Sequence, residues 1–199
     1  MADNSQVIIP QRKNSPSRYK PYLMKTRNIV ILLNTLLLIS CKEPPITFEE
    51  AQPENIKNIN KIPSKLRGTY LAASDSTKLI ISSHLMMTEY VRKDTVPNQI
   101  YLDTVFAFSN GDILRKYKGY FFLNQPYKNN WEVKKLKIND DIIAIGYIAS
   151  QDDIAKMEKI TETKRDTSYT YIVKPTKKQL KHFIKENGFS EEELYIKIK

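Results

Sequence analysis

Few residues in this chain are equipped for chemistry. Among 199 residues there is one thiol, Cys41, and there are two histidines, His84 and His182. A single cysteine rules out an intrachain disulfide, and with two isolated histidines it leaves no Cys/His metal set. The five glycines, at 68, 111, 119, 146 and 188, are scattered, so no phosphate-cradling loop is written in the sequence. A Ser-His-Asp site would have to use His84 or His182, and neither sits in a recognisable motif. His182 lies beside Phe183 in a helical pattern, which points to a surface or partly packed role. Two acidic pairs, Asp140-Asp141 and Asp152-Asp153, fall where a turn and a helix start are expected. Asp is favoured at both for backbone reasons, and neither pair has the Asp/Asn spacing, Gly and distal Glu of a calcium loop. No cofactor is implied.

Cys41 has a distinctive setting. From Met24 the chain reads MKTRNIVILLNTLLLISCKE. Lys25 and Arg27 precede an apolar stretch, Ile29 to Ile39, interrupted by Asn34 and Thr35 alone. About 11 apolar residues fall short of the ~20 needed to span a bilayer as a helix but match a signal-peptide core. The positive flank favours cytoplasmic retention of that end. Leu38-Ile39-Ser40-Cys41 then resembles the lipobox of bacterial lipoprotein signal peptides: an aliphatic residue, a tolerant position, a small residue and the acceptor cysteine. The resemblance covers about 18 residues. It implies that the Cys41 thiol accepts diacylglycerol, that cleavage falls between Ser40 and Cys41, and that the freed amine takes a further acyl chain such as palmitate.

This setting divides the chain. Residues 1–23 are polar and contain Pro and Ser, which makes them an over-extended start or a disordered segment, with Met24 expected as the true first residue. Residues 24–40 are the signal peptide. Residues 41–62, with Pro44, Pro45 and Pro53 and no sustained period, read as the lipidated cysteine and an extended tether. Residues 63–199 form one globular domain, long enough to bury a sizeable core. The division also disposes of the net charge of +10: residues 1–41 carry six basic side chains against Asp3, leaving 26 basic and 21 acidic groups beyond them. That interspersed remainder reads as an ordinary solvated surface, and no nucleic-acid-binding pattern accompanies it.

The domain is expected to be α+β and mainly antiparallel β, a meander of hairpins forming a sheet or partly open barrel with a C-terminal α-helix. Strands are expected at Leu66–Leu71, Lys78–Ser82, Leu85–Arg92, Ile100–Phe108, Ile113–Tyr117, Tyr120–Leu123, Trp131–Ile138, Ile142–Ala149 and Ser168–Val173. Ser74-Asp75-Ser76, Asp94–Asn98, Lys118-Gly119, Gln125–Asn130 and Asn139–Asp141 separate them, and Asn110-Gly111 has the form of a hairpin turn. Asp152 or Asp153 is placed to cap a short helix through Ile160. Thr176-x-x-Gln179 has the form of a capping box before a helix bearing Leu180, Phe183 and Ile184. Gly188 is expected at the left-handed stop, with Phe189 folding back onto Ile184. Ser190–Glu193 repeats the capping form before Tyr195–Ile198.

The function expected is that of a lipid-anchored lipoprotein of the bacterial envelope, placed at the outer membrane with the membrane as partner through Cys41, whose β-rich head is a non-enzymatic binding or structural module. It is similar to small lipoproteins of the Bacteroidota. Lys42-Glu43 resembles the charged export tags of surface lipoproteins, and the periplasmic and surface faces both stay open. Gly68-Thr69-Tyr70 resembles the Gly-x-Trp signature on the first lipocalin strand, with Tyr for Trp. That resemblance implies a carrier of a small apolar ligand in a calyx, a large apolar cavity. A third expectation is an inhibitor or immunity protein against a secreted enzyme or toxin.

Overall fold

Among the described residues, twelve short strands arise where apolar and polar residues alternate and turn formers punctuate them. The computed structural model describes residues 45–92, 99–165 and 170–199. The lipobox Leu38–Cys41, the loop Asp94–Asn98 and the strand start Ser168-Tyr169 lie outside them. The strands are β1 (Ile46–Phe48), β2 (Gly68–Ala72), β3 (Lys78–Ile81), β4 (Leu85–Val91), β5 (Ile100–Ala107) and β6 (Ile113–Tyr117). They continue with β7 (Tyr120–Tyr127), β8 (Asn130–Asn139), β9 (Ile142–Tyr147), β10 (Thr163–Arg165), β11 (Tyr171–Val173) and β12 (Glu191–Lys197). Helix α1 (Gln151–Glu158) lies between β9 and β10, and α2 (Lys177–Lys185) precedes β12.

All twelve belong to one sheet of order β10-β11-β1-β8-β9-β12-β2-β3-β4-β5, with β6 and β7 branching from the other edge of β8. Every pairing is antiparallel except β1 with β11. The sheet is open, since β5 and β6 pair with β4 and β7 and not with each other. It nevertheless curls, because Phe106 of β5 and Leu114 of β6 meet in one core with Tyr70, Leu79, Leu136 and Ile143. A second core forms on the opposite face of β7 and β8, where Phe122 and Val133 pack against Ile154, Met157, Leu180 and Phe183 of the helices. Strand β7 is thus buried on both faces at Phe121, Phe122 and Leu123, which is why it reads as a continuous apolar run.

Three corrections to the expected strands have clear causes. Asn110-Gly111 does not make a hairpin. Residues Phe108–Asn110 form a 3₁₀ turn ending on Gly111, and the chain crosses from one edge of the curled sheet to the other. The crossing is fastened by Asp112, whose Oδ2 accepts the Ala107 N–H at 2.7 Å. The expected Pro/Asn loop Gln125–Asn130 is mostly strand, with Pro126 opposite Trp131 and the turn confined to Lys128-Asn129. The tail expected to hold a short turn before Tyr195 is β12, a strand flanked on both sides by β9 and β2.

The largest correction concerns the tether. Residues 45–62 are built into the domain. Ile46, Thr47 and Phe48 are buried, and β1 lies between β11 and β8. Beyond it, the Gln52 N–H donates to Asn124 Oδ1 at 2.5 Å, and Asn124 Nδ2 donates to the Gln52 carbonyl at 2.9 Å. Arg115 donates to the carbonyl of Pro53 at 2.8 Å and to Asn58 Oδ1 at 2.9 Å, Ile59 bridges to Leu114, and Ile62 is fully buried. A segment whose backbone groups are satisfied by distant side chains carries no periodic signature of its own.

Asp112 is buried, and burial pushes its carboxyl above the ordinary aspartate range despite the Ala107 and Gln125 hydrogen bonds. A carboxyl raised in the folded state stabilises fully below the ordinary value of 3.8 and loses that contribution as pH rises through its folded value. Asp112→Asn keeps an acceptor for Ala107. Its melting temperature relative to wild type is therefore expected to climb as pH is raised from below 3.8, and a flat difference across that range would refute the assignment.

The C-terminal helix follows its sequence closely. Thr176 and Gln179 form both halves of the capping box. The stop differs by one residue: Asn187 has φ 57°, with its N–H on the Ile184 carbonyl at 3.2 Å and the Gly188 N–H on Phe183 at 2.9 Å. This is a Schellman motif with Asn187, rather than Gly188, at the left-handed position. Gly188 is needed for space, since a Cβ there would collide with the ring of Phe183. That ring is itself locked edge-on against Phe189 at 5.3 Å, and Phe189 packs there rather than turning back on Ile184 alone. Gly188→Ala is expected to cost about 1–3 kcal/mol by overpacking, measured by denaturant unfolding.

Candidate functional site

Alternate residues of a strand share a face, so Glu193 and Tyr195 of β12 project to the same side. Strand β9 lies antiparallel beside β12 and brings Tyr147 opposite Glu191, one step diagonal to Glu193. On the other side β2 pairs Ala72 with Tyr195, and the turn after β2 presents Asp75. Strand β4 adds Tyr90, and β8 adds Lys134. Together they line a half-open cup of about 420 Å3 against the first core, to which Ala72, Ile145 and Tyr195 belong.

The cup has a definite polar arrangement. The Tyr195 hydroxyl donates to Glu193 Oε2 at 2.7 Å, although the tyrosine is only 4% exposed and the glutamate lies at the open rim. Burial pushes the phenols of Tyr147 and Tyr195 well above the ordinary tyrosine range, and hydrogen bonding to the negative Glu193 raises them further. Both therefore stay neutral and act as donors. Tyr90 donates to Asp103 Oδ2 at 2.6 Å and stacks on Tyr101 at 5.8 Å. Lys134 donates to Gln125 Oε1 at 3.0 Å and pairs with Glu132 at 3.4 Å. Asp75 Oδ1 accepts the Thr77 N–H at 2.7 Å, which holds the turn. Fixed donors, two carboxylates and an apolar floor of Ala72, Val105 and Ile145 make an arrangement suited to holding a small solute.

The residues singled out in the sequence do not gather here. His84 sits in the turn before β4, its Nδ1 2.7 Å from Ser83 Oγ and its ring edge-on to Phe108 at 6.1 Å. His182 is exposed on α2. Asp140-Asp141 forms the β8–β9 turn, with Asp140 at φ 51° and the Asp141 carbonyl accepting the Lys197 N–H. Asp152 pairs with Lys156 at 2.6 Å. The helix cap is Ser150, which accepts the Asp153 N–H, not either aspartate. Asp153 is instead fully buried and takes the N–H and hydroxyl of Ser190 at 2.8 and 2.9 Å, tying α1 to the start of β12.

Gly68-Thr69-Tyr70 has a structural explanation. Tyr70 is fully buried, and its hydroxyl donates to the Leu66 carbonyl at 3.0 Å. Gly68 has φ 144°, and a Cβ there would meet the carbonyl of Lys199. Tyr70, Leu79, Met86 and Phe106 occupy the space a calyx would leave open, and the sheet does not close into a barrel.

Sequence reasoning missed Tyr147, Glu193 and Tyr195. A signal existed in the alternation of Glu191, Glu193 and Tyr195, but the preceding Ser190 made the acidic run resemble a helix start. Among the described residues no helix is long and apolar enough to cross a membrane, and no three His, Cys, Asp or Glu side chains gather to hold a metal ion. Comparison of the chain with protein-family models, curated proteins and solved structures gives no match.

Proposed function

We propose that the chain is a lipoprotein of the bacterial envelope, anchored at the outer membrane by lipid on Cys41, whose β-rich head is a non-enzymatic binding module for a small polar solute. The observation that carries the anchor is the apolar run ending in Leu38-Ile39-Ser40-Cys41, with its single thiol at the acceptor position. The cup around Tyr147, Glu193 and Tyr195 supports the binding role. The test of the anchor is the intact mass of the protein extracted from envelopes. A mature chain beginning at acylated Cys41 is expected, and an unmodified chain that retains Met24–Ser40 would overturn the reading.

A protein partner, as for an inhibitor or immunity protein, draws on a different feature. Ile196 of β12 lies opposite both Leu71 of β2 and Ile142 of β9, with Leu194 two residues along. All four are exposed, between 37% and 48%. Helices α1 and α2 cover β7 and β8 rather than this row. The two readings separate by mutation: a solute is lost with the cup, a protein partner with the aliphatic row.

A further inference from the structure

The chain carries a net charge of +10, yet its cup is lined by two carboxylates, Asp75 and Glu193, against one ammonium. That ammonium, on Lys134, is already met by Glu132 and Gln125. Charges beside the cup are Asp103 on the Tyr90 hydroxyl, Glu191 opposite Tyr147, Arg92, which lies over the Tyr101 ring at 4.9 Å, and Lys78, which is paired with Glu89 at 2.6 Å. The local balance is therefore acidic in a basic protein. Three tyrosines, 90, 147 and 195, line the walls. Phenol rings and carboxylates around an apolar floor are the chemistry that receives a cation mounted on an aliphatic body.

We infer that the cup binds a small organic cation, an ammonium or guanidinium group carried on a short apolar body, with Glu193 as its charge partner. The inference rests on the cup being a binding site, and names the class of solute it takes. Glu193 is placed for the role because Oε2 accepts from the buried Tyr195 hydroxyl and Tyr147 bonds the same carboxylate, which together fix it at the exposed rim of the cup. An anion would meet two carboxylates there. A solute of about 420 Å3 or less fits, which is the size of a small metabolite rather than a folded partner.

The test is calorimetric titration of the full chain in detergent with choline, n-butylammonium and methylguanidinium, each beside an uncharged counterpart of the same shape, and with methyl glucoside. At least one cation is expected to bind at least about tenfold more tightly than its neutral counterpart, and to weaken with added salt. Glu193→Gln keeps an acceptor for Tyr195 and so the fold, verified by an unchanged melting temperature, but is expected to weaken the cation roughly tenfold. Lys134→Gln removes the opposing charge and is expected to tighten it, an outcome that a purely structural role for Lys134 does not give. Equal binding of cation and neutral counterpart, or binding of the glucoside alone, overturns the cation inference and leaves a solute site standing. No binding by any probe to the folded protein overturns both.

Discussion

Cys41→Ser is expected to move the protein from the membrane fraction to the soluble or uncleaved pool and to remove all acyl mass. Serine is close to cysteine in size, so the shape of the Leu38–Cys41 segment is kept. What is lost is the thiol, whose thiolate is the nucleophile in diacylglycerol transfer. A lipid chain contributes about 0.8 kcal/mol per buried methylene, so removing two or three chains takes away the whole anchor rather than weakening it. With Cys41 the only cysteine, no second site can take over. Fractionation with intact-mass analysis is the measurement. Acyl mass retained by the serine variant would refute lipid attachment at this residue.

Phe48→Ala is expected to cost about 3–5 kcal/mol of stability, and joining Cys41 directly to Pro63 to leave no folded head at all. Phe48 is fully buried beside Trp131 and Val173, in a strand between β8 and β11. Deleting 42–62 would also strip the buried Asn124 Oδ1 of the Gln52 N–H and the half-buried Arg115 of its acceptors on Pro53 and Asn58. A tether would tolerate both changes. Denaturant unfolding of the point variant and proteolysis of the deletion decide the matter, and wild-type stability in either would restore the tether. The same boundary sets the reach of the proposed anchor. From Cys41 to Pro45 the chain spans four residues, at most about 14 Å, so a lipidated head would be held near the bilayer surface. A flexible insert between Lys42 and Pro45 should be tolerated; the same insert within 46–62 should not.

Where local chemistry set the structure, it could be read in advance. The capping box Thr176/Gln179 and the apolar stripe Leu180 and Phe183 specify α2 within one turn of chain, and helix ends obey short-range hydrogen bonding. The Lys118-Gly119 turn, both residues at positive φ, fixes the β6–β7 hairpin in the same way. Gly188 was misplaced by one position because its reason is not the backbone but the ring of Phe183, which only packing brings there.

A mainly antiparallel β chain with a late helix was legible in the residues alone, as was the likeness of the segment around its one thiol to a lipobox. Both depend on residue type and short spacing. Tertiary structure alone decided the rest. β1 became a strand because β8 and β11 supply its partners from more than 80 residues away. β12 became a flanked strand because β9 and β2 leave a place between them, despite an acidic start that favours a helix locally. The cup follows from that insertion: Tyr147 and Glu193 are 46 positions apart and are joined only by the pairing of β9 with β12. The proposed site at Cys41 rests on its neighbours in sequence, whereas the cup exists through neighbours in space.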